Sequence, residues 1–430
     1  MNDCLVQPIE SRVATMPGVL FVTPRFHPYP GGYENYVAWL AKSLRKTGAR
    51  VSVFTTTAFD LESFWLSGRR TLPPGQEFWE GIEVRRFEIC YRRWLRRAGR
   101  LFALLPNWRL KAAFGRPGFR IMDLAAALSR TTANVIHVGP LPYNQLMYYG
   151  LRAARRRGAR ILCTPCTHFG EEASHEVARH YTQPFQTQLL NHCDTVLALT
   201  ELERKRLVEL GVSPDRVVTT GAGIDVENAV GGAAEACRRE LGLGDSPIVL
   251  HFGMKAFEKG SVSVVEAMKI LWANGSQARL VMAGPGMQAL KDYLQAQTGN
   301  DGRFLDLPPV NDRQKRDLMA AATVFVQPSR VESFGLIYVE AWANAKPLIA
   351  ADTGVSRELI EDGVDGLLVP FGNAARIADA INCLLESSDL RQRMAEAGRR
   401  KVLARYTWEA AIARIRPYFS ANAPGPASQD

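Results

Sequence analysis

The chain has 430 residues, of which 47% are apolar and 22% are charged, and its formal net charge is +10. This balance is typical of a globular protein, and the length allows two or three domains. No run of about 18 apolar residues occurs, so no helix is expected to span a bilayer. Residues 1–16, which we expect to be flexible, lack an export signal, and the seven scattered cysteines favour a reduced, cytoplasmic setting.

Short apolar runs alternate with amphipathic stretches along most of the chain. This alternation predicts strands connected by helices, and therefore parallel sheets covered on both faces. The predicted strands of the first half cover 18–23, 50–55, 82–87, 134–138, 160–164, 195–199 and 216–220. Those of the second half cover 247–252, 278–284, 303–307, 323–327, 347–351 and 366–370.

Between the two sets of strands, residues 226–246 lack strand character and are rich in glycine and alanine. We therefore predict an α/β protein with two Rossmann-like domains, an N-terminal one at 1–228 and a C-terminal one at 229–405. The carboxyl ends of the two sheets would face each other across a cleft, where loops and helix N-termini converge on a ligand. The tail 421–430 is predicted to be disordered.

The segment SRVESFGLIYVEA, at 329–341, carries two glutamates in apolar surroundings, Glu332 and Glu340. A helix is predicted to begin near Phe334, which puts Glu332 in the loop above the sheet and Glu340 about two turns into the helix. Such a pair could hold the two carbohydrate rings of a nucleoside diphosphate sugar. Alternatively, one glutamate complements the helix dipole and the other is simply exposed.

Between the glutamates, the first N–H groups of the predicted helix would point at a diphosphate, because a helix N-terminus leaves its donors unpaired. A glycine in this turn would let a phosphate oxygen approach the backbone closely. The predicted donor contacts here are Ser333, Phe334, Gly335, Leu336 and Glu340.

The stretch from 329 to 370 closely resembles the retaining, family 4 (group 1) type of GT-B glycosyltransferases. In that family a Glu-x7-Glu motif precedes a proline, an apolar strand and two glycine turns, here at Pro347, Gly354 and Asp362-Gly363. The resemblance extends over roughly residues 17 to 420. It implies a GT-B fold whose C-terminal helix, 406–420, packs back on the first domain, and transfer of a hexose from a nucleoside diphosphate sugar with retention of configuration.

The segment HFGMKAFEKG, at 251–260, resembles the family's Gly-Arg-x4-Lys-Gly sequence, which places cations beside the diphosphate. Lys259 matches the family lysine, but Met254 stands where the family has arginine. Because lysine lacks the bidentate fork of arginine, this replacement is not conservative. We expect the neighbouring Lys255 to cover the second phosphate; the alternative is that both lysines are ordinary solvated side chains.

Glycine loops complete the predicted donor site. Gly31 and Gly32 follow the first strand and resemble the family's N-terminal glycine loop, and Gly253 and Gly284 end strands beside the nucleotide. His168 matches the family's active-site histidine and is expected to face the donor sugar. The alternatives are simple turns and a structural histidine. The catalytic residues that the resemblance implies are His168, Lys259 and Glu332.

Neither a metal nor another cofactor is expected. No Asp-x-Asp motif occurs, which fits stabilisation of the leaving diphosphate by lysine and a helix dipole. Cys163 and Cys166 form a CxxC near several histidines, so a zinc or redox site is conceivable, but strand alternation would point the two thiols to opposite sides. The base of the donor, uracil or guanine, is left open because Asp306 replaces a family glycine.

Residues 91–120 hold eight arginines, one lysine and no acid, interleaved with tryptophan, leucine and phenylalanine, and a second basic cluster covers 152–160. The first segment suits an interfacial helix on anionic lipid, at the inner face of a membrane, with a lipid-linked or cell-envelope glycan as acceptor. A solvated or internally paired surface is an alternative. Nucleic-acid binding is a further one, but the expected fold gives it little support, so no nucleic-acid partner is predicted.

Two other functions compete with transfer. One is a nucleotide-sugar epimerase or hydrolase, which would share the two Rossmann-like halves. The other is a non-catalytic nucleotide-sugar-binding protein, which the missing arginine at Met254 would permit. The Glu-x7-Glu motif and Lys259 favour the transferase.

Overall fold

The computed structural model of the chain describes residues 18–29, 31–64, 66–91, 99, 101–102, 104–114, 119–169, 179–299 and 301–420. The predictions for the two termini, 1–16 and 421–430, and for part of the basic segment 91–120 lie outside these residues. No helix of the described residues is long and apolar enough to cross a membrane.

The first sheet has eight strands in the order β10-β9-β8-β7-β1-β2-β4-β3, and all neighbouring strands are parallel except β3 and β4. Its strands are β1 (Gly18–Val22), β2 (Arg50–Thr56), β3 (Gly75–Trp79), β4 (Ile82–Phe87), β7 (Val135–Val138), β8 (Arg160–Cys163), β9 (Thr195–Ala198) and β10 (Val217–Thr219). A separate antiparallel ribbon pairs β5 (Ile89–Tyr91) with β6 (Phe119–Ile121).

The second sheet has six parallel strands in the order β13-β12-β11-β14-β15-β16. They are β11 (Ile248–Phe252), β12 (Arg279–Ala283), β13 (Phe304–Leu307), β14 (Val324–Gln327), β15 (Leu348–Ala351) and β16 (Leu367–Val369). All residues of β1, β7, β9, β14 and β15 are buried, as expected of strands that helices cover on both faces.

Helices connect the strands and cover both sheets. The helices of the first half are Gly32–Lys46, Trp108–Phe114, Leu124–Arg130, Asn144–Arg157, Pro184–Leu190, Glu201–Glu209 and Val226–Ala229. Those of the second half are Ala234–Glu240, Ser261–Ala273, Gln288–Thr298, Asp312–Ala321, Leu336–Ala343, Gly354–Leu359, Ala374–Glu386, Ser388–Lys401 and Trp408–Ile415. Short 3-10 turns lie at Leu61–Phe64, Pro214–Arg216, Phe257–Lys259 and Arg416–Phe419, and a π-turn lies at Val402–Tyr406.

The thirteen predicted strands are all present, within one or two residues of the expected ends. Three strands were missed. β3 is an exposed edge strand with no apolar alternation, and β5 and β6 are only three residues long, so none of them carries a periodic signal. The helix predicted to begin near Phe334 begins instead at Leu336, because Gly335 adopts a left-handed conformation just before it.

The C-terminal helix, Trp408–Ile415, returns to the first domain. Trp408 Nε1 donates to Ser43 Oγ at 2.8 Å, and its ring lies 6.1 Å from that of Trp39. Next to it the two crossing segments run side by side, because Ile224 N–H donates to Tyr406 O at 3.0 Å. The prediction of two Rossmann-like domains with a helix crossing back is therefore confirmed.

Candidate active site

Each sheet has one point at which the strand order reverses. In the second sheet the chain leaves β11 towards β12 and β13, and then continues from β14 on the other side, so the loops that follow β11 and β14 diverge. In the first sheet the same reversal lies between β1 and β7. Ligands of open α/β sheets bind in the crevice at such a point.

Lys259 and Glu332 lie in the two diverging loops of the second sheet and meet above it. Lys259 Nζ is 2.6 Å from Glu332 Oε1 and also donates to Val331 O at 3.2 Å. Both side chains keep some exposure, 20% for Lys259 and 11% for Glu332. The pair thus presents a cation and a carboxylate side by side at the mouth of the crevice.

The helix Leu336–Ala343 points its N-terminus at the same crevice. It is preceded by Gly335, with φ +88°, and no side chain caps its first amides. A Cβ at Gly335 would lie 2.5 Å from Cδ2 of Tyr338, so the turn requires glycine. Uncapped N–H groups and the positive end of the helix dipole favour an anion here.

Glu340 lies in the second turn of this helix and faces a different cation from Glu332. Its Oε1 is 2.5 Å from Nζ of Lys315, which belongs to the helix Asp312–Ala321. The ammonium of Lys315 is also 5.6 Å from the ring of Phe252, at the end of β11. The two glutamates of the motif are therefore each paired with a lysine, at separate positions along the crevice.

His168 approaches from the first domain. Its Nδ1 is 3.0 Å from the hydroxyl of Tyr181. Burial, together with the positive charge of Lys259, lowers the pKa of His168 to about 4, although the negative charge of Glu332 opposes both. The structure thus brings the three predicted catalytic residues together across the cleft, with a neutral imidazole.

The glycine loop of the first domain closes the other side. A Cβ at Gly31 would lie 2.0 Å from Oε2 of Glu34, which is buried and accepts from Arg25 Nε at 2.9 Å. A Cβ at Gly32 would lie 3.8 Å from Cδ1 of Leu336, in the facing domain. The loop therefore meets the helix N-terminus across the cleft, and Gly31 leaves room for the Arg25–Glu34 pair.

Two family models match the chain in tandem. The one described as "Glycosyl transferase 4-like domain" matches residues 31–223, and the one described as "Glycosyl transferases group 1" matches residues 234–401. The second covers both loops of the crevice and the whole Glu-x7-Glu segment. The chain belongs to the group 1 glycosyl transferases.

Relatives of this group 1 chain include a D-inositol 3-phosphate glycosyltransferase of Xylanimonas cellulosilytica, 34% identical over 256 residues, which are 56% of this chain and 60% of that protein. Another D-inositol 3-phosphate glycosyltransferase, of Catenulispora acidiphila, is 28% identical over 410 residues, 92% of each chain. The matches to three D-inositol 3-phosphate glycosyltransferases of 31–34% identity cover 60%, 49% and 55% of those proteins. The chain therefore matches only about half of their length.

Among solved structures, the Anabaena protein HepE in complex with UDP and glucose is similar, with a TM-score of 0.69. The match covers 93% of this chain and 98% of that one at 20% identity. At this identity the likeness shows the GT-B fold, which agrees with the two Rossmann-like domains and the returning helix described above.

The expectation for Lys255 is wrong in this structure. Its side chain is fully buried, and Nζ lies 2.5 Å from Oδ1 of Asp306 and 2.8 Å from O of Leu307. Both contacts hold its ammonium against β13, where Asp306 supplies the carboxylate. Lys255 is therefore a structural cation in this group 1 protein, and it does not reach the crevice beside Met254, which is 42% exposed.

Gly253 and Gly284 allow two loops of the nucleotide side to touch. Both have positive φ, +127° and +133°, and a Cβ at Gly284 would lie 2.0 Å from O of Gly253. Gly253 N–H donates to Ala283 O at 2.9 Å. The two glycines thus shape this wall of the crevice through backbone approach.

Sequence reasoning missed three side chains of the site: Lys315, Tyr181 and Arg25. Lys315 lies in a helix whose sequence shows only a capping box, and Tyr181 follows a segment without periodicity. Arg25 did carry a signal, since an arginine soon after a strand end in a parallel sheet lies at the ligand edge.

The two cysteines of the CxxC sequence belong to no cluster of potential metal ligands among the described residues. Cys163 and Cys166 are both buried, and burial raises the pKa of Cys166 to about 12, so its thiol is neutral. Within the described ranges no group of three or more His, Cys, Asp or Glu could hold a metal ion.

Proposed function

We propose that the protein transfers a sugar from a nucleoside diphosphate sugar to an acceptor hydroxyl, with retention of configuration and without a metal ion. The observation that carries this proposal is the Lys259–Glu332 pair beside an uncapped helix N-terminus, with His168 facing it from the first domain. The relatives are named glycosyltransferases, which favours transfer over an epimerase, a hydrolase or a non-catalytic binding protein.

In this reaction the bond between the sugar's anomeric carbon and the diphosphate breaks, and a bond to the acceptor oxygen forms on the same face. The departing diphosphate oxygen takes the acceptor's proton. The amides of the turn at Ser333–Leu336 and the ammonium of Lys259 stabilise the charge that develops there; removing one such donor raises the barrier by about 3–4 kcal/mol. Glu332 holds the sugar hydroxyls and Glu340 the ribose.

His168 acts in this scheme as a neutral hydrogen-bonding group. Because its pKa is lowered to about 4, the ring carries no charge at neutral pH. Tyr181 engages Nδ1, which leaves Nε2 for a hydroxyl of the donor sugar near the reacting carbon. A neutral imidazole can orient that hydroxyl without repelling the positive charge that builds up on the sugar.

The donor is tested by a thermal-shift screen of UDP- and GDP-sugars. A ligand present at a hundredfold excess over its dissociation constant stabilises the fold by about 2.7 kcal/mol. The similar HepE was crystallised with UDP and glucose, so UDP-glucose is the first compound to screen. A matched Lys259→Ala variant should show a smaller shift, and a wild-type protein that responds to no nucleotide sugar would refute the donor assignment.

Mechanism and metal independence are tested on the product. NMR of the glycoside should show the donor's anomeric configuration, and activity should survive a chelator. An inverted anomer, or loss of turnover with chelator, would contradict the corresponding part of the proposal. Incubation with donor alone separates the alternatives, because an epimerase yields a new nucleotide sugar and a hydrolase yields free sugar.

We further propose that the protein works at an anionic membrane surface on the cytoplasmic side and glycosylates a lipid-linked or cell-envelope glycan. In the described part of the basic segment, Leu101 and Leu104 are 67% and 81% exposed, next to the helix Trp108–Phe114. On that helix, Arg109 is exposed, and its guanidinium lies 5.6 Å from the ring of Trp108. Exposed leucines beside an exposed arginine suit an anionic lipid surface.

Liposome co-sedimentation tests this surface. Binding should require anionic lipid and weaken with salt, and Leu104→Asp should reduce it. Leu403, which is 54% exposed in the second half of the chain, supplies the matched control, since Leu403→Asp should leave binding unchanged. Absence of binding at low salt would end the membrane proposal and leave the transferase proposal intact.

A further inference from the structure

A buried carboxylate lies behind the loop that carries His168. Glu203, the third residue of the helix Glu201–Glu209, is only 2% exposed. Its Oε1 accepts from the N–H of Thr167 at 2.7 Å and from the Thr167 hydroxyl at 2.6 Å, and its Oε2 accepts from Leu199 N–H at 2.7 Å. A glutamate at this position commonly reaches back to its own helix cap, whereas Glu203 also reaches into the loop after β8.

Among the described residues, no cation forms an ion pair with this carboxylate. The ionisable groups that face Glu203 are the phenols of Tyr36 and Tyr181, the thiols of Cys163 and Cys166, and the carboxylate of Glu358. The three hydrogen bonds are therefore what stabilises the carboxylate, and burial still raises the pKa of Glu203 to about 7.

The loop that Glu203 holds is strained and reaches the second domain. Cys166, just before Thr167, has φ +50°, a left-handed conformation that side chains disfavour. Its thiol faces Ser333, next to Glu332 in the opposite domain. His168 follows Thr167 in this loop. The hydroxyl of Tyr181 contacts the imidazole ring of His168 and not its backbone. The backbone position of His168 thus depends on the anchor at Thr167.

We propose that Glu203, in its ionised form, is a positioning residue that keeps His168 aligned with Lys259 and Glu332 across the cleft. This inference rests on the function proposed above, because the alignment matters for turnover only if a sugar is transferred there. Glu203 itself touches neither donor nor acceptor and acts through Thr167.

The proposal has a pH signature. Protonation would put an O–H on a group that faces three donors, so at least one hydrogen bond to Thr167 or Leu199 would be lost and the anchor of the loop weakened. Turnover should therefore be full above about pH 7 and fall as the pH drops below it. The facing Cys166, with a pKa of about 12, and His168, with a pKa of about 4, do not titrate in this window.

Glu203→Gln tests this directly, because it keeps the shape and removes the ionisation. We expect kcat to fall about 10- to 100-fold with the donor KM little changed, since misplacement of a catalytic group by about 1 Å has such effects. The fall of turnover near pH 7 should disappear. Thr200→Ala is the control: it removes the hydroxyl that caps Glu203 N–H at 3.0 Å but does not touch Thr167, so it should lower Tm and leave the pH profile unchanged.

Thr167→Val covers the case in which Glu203→Gln does not fold. It removes one donor to the carboxylate, which should move the fall of turnover to higher pH. A folded Glu203→Gln protein with wild-type kcat and an unchanged pH profile would overturn the proposal. So would an unmoved profile in Thr167→Val.

A measurement without substrate separates this inference from the proposed function. Ring nitrogen NMR signals of His168, assigned with His168→Gln, should shift in Glu203→Gln, whereas those of His251, buried in the second domain, should not. If the wild-type protein transfers no sugar, the proposed function fails and this measurement still decides whether Glu203 positions His168. Unshifted His168 signals would refute the positioning role.

Discussion

The turn at Gly335 offers the sharpest test of how the donor site is built. A methyl group at this position would lie 2.5 Å from Cδ2 and 2.8 Å from Cε2 of Tyr338. Tyr338 is completely buried, and its hydroxyl donates to Gln327 O at 3.1 Å, so the ring cannot swing into solvent. We therefore predict that Gly335→Ala destabilises the second domain and distorts the helix N-terminus to which we assign the diphosphate.

The magnitude has two parts. A non-glycine residue in a left-handed conformation costs about 1–2 kcal/mol, and overpacking a core typically costs about 1–3 kcal/mol. Gly275 separates them, because its φ of +87° nearly equals that of Gly335, +88°, while a Cβ there would meet no atom within 4 Å. Gly275→Ala should therefore show the backbone cost alone, and Gly335→Ala should show about 2–5 kcal/mol in total.

Thermal unfolding of the two variants measures this difference. In a domain of about 150–250 residues, 1 kcal/mol corresponds to a change in Tm of about 2–4 °C. Gly275→Ala should thus lower Tm by about 2–8 °C, and Gly335→Ala by about 4–20 °C. The donor's dissociation constant should rise more than about tenfold in Gly335→Ala alone, because each lost 1.4 kcal/mol is a factor of ten.

Equal changes in Tm for the two alanine variants would refute this reasoning. They would mean that the Tyr338 ring moves aside without cost. The backbone conformation of residue 335 alone would then explain why the turn has a glycine. A destabilised Gly335→Ala protein that still bound the donor normally would separate the turn's packing from its role at the diphosphate.

Three further predictions concern the charged groups. Lys259→Ala should lower kcat about 10²- to 10³-fold, while Lys269→Ala, on an exposed helix face, should not; normal turnover in Lys259→Ala would defeat its assignment. In NMR titrations His168 should stay neutral until about pH 4. Because that pKa lies below the usual 6.5, its contribution to stability is present above pH 6.5 and is lost as the pH falls to about 4, by up to about 3 kcal/mol; protonation near pH 6.5 would contradict the burial argument. Lys255→Met should lower the free energy of unfolding by about 1–3 kcal/mol and leave donor affinity unchanged, whereas a large loss of affinity in the folded variant would restore Lys255 to the site.

The fold was largely predictable because its signal is local. Thirteen short apolar runs have the length and composition of buried strands, and amphipathic stretches lie between them. This alternation predicts two parallel sheets without any knowledge of contacts. The edge strand Gly75–Trp79 was not predicted, because its residues are mostly solvent-exposed and the strand pairs only with β4. Such pairing is a tertiary interaction, and the local sequence gives no signal for it.

The charge pairing of the site was not predictable, because it joins residues distant in sequence. Lys255 and Lys259 lie four residues apart and look equivalent in the sequence, yet one is buried against Asp306 and the other pairs with Glu332. What separates them is Asp306 on β13, which lies two strands from β11 in the sheet. A motif match could not assign Lys255, since its partner lies outside the motif.

The Lys259–Glu332 pair explains how one cation can serve two anions. A lysine ammonium has three donors, and in this structure one lies towards Glu332 and one towards Val331 O, so a donor remains for a phosphate oxygen. In the proposed reaction, a sugar hydroxyl donates to Glu332, and the ammonium of Lys259 moves towards the diphosphate as negative charge grows there. An arginine at Met254 would add a fixed bidentate contact in the ground state as well, whereas a single mobile ammonium responds mainly to the charge of the transition state, which is where stabilisation raises kcat.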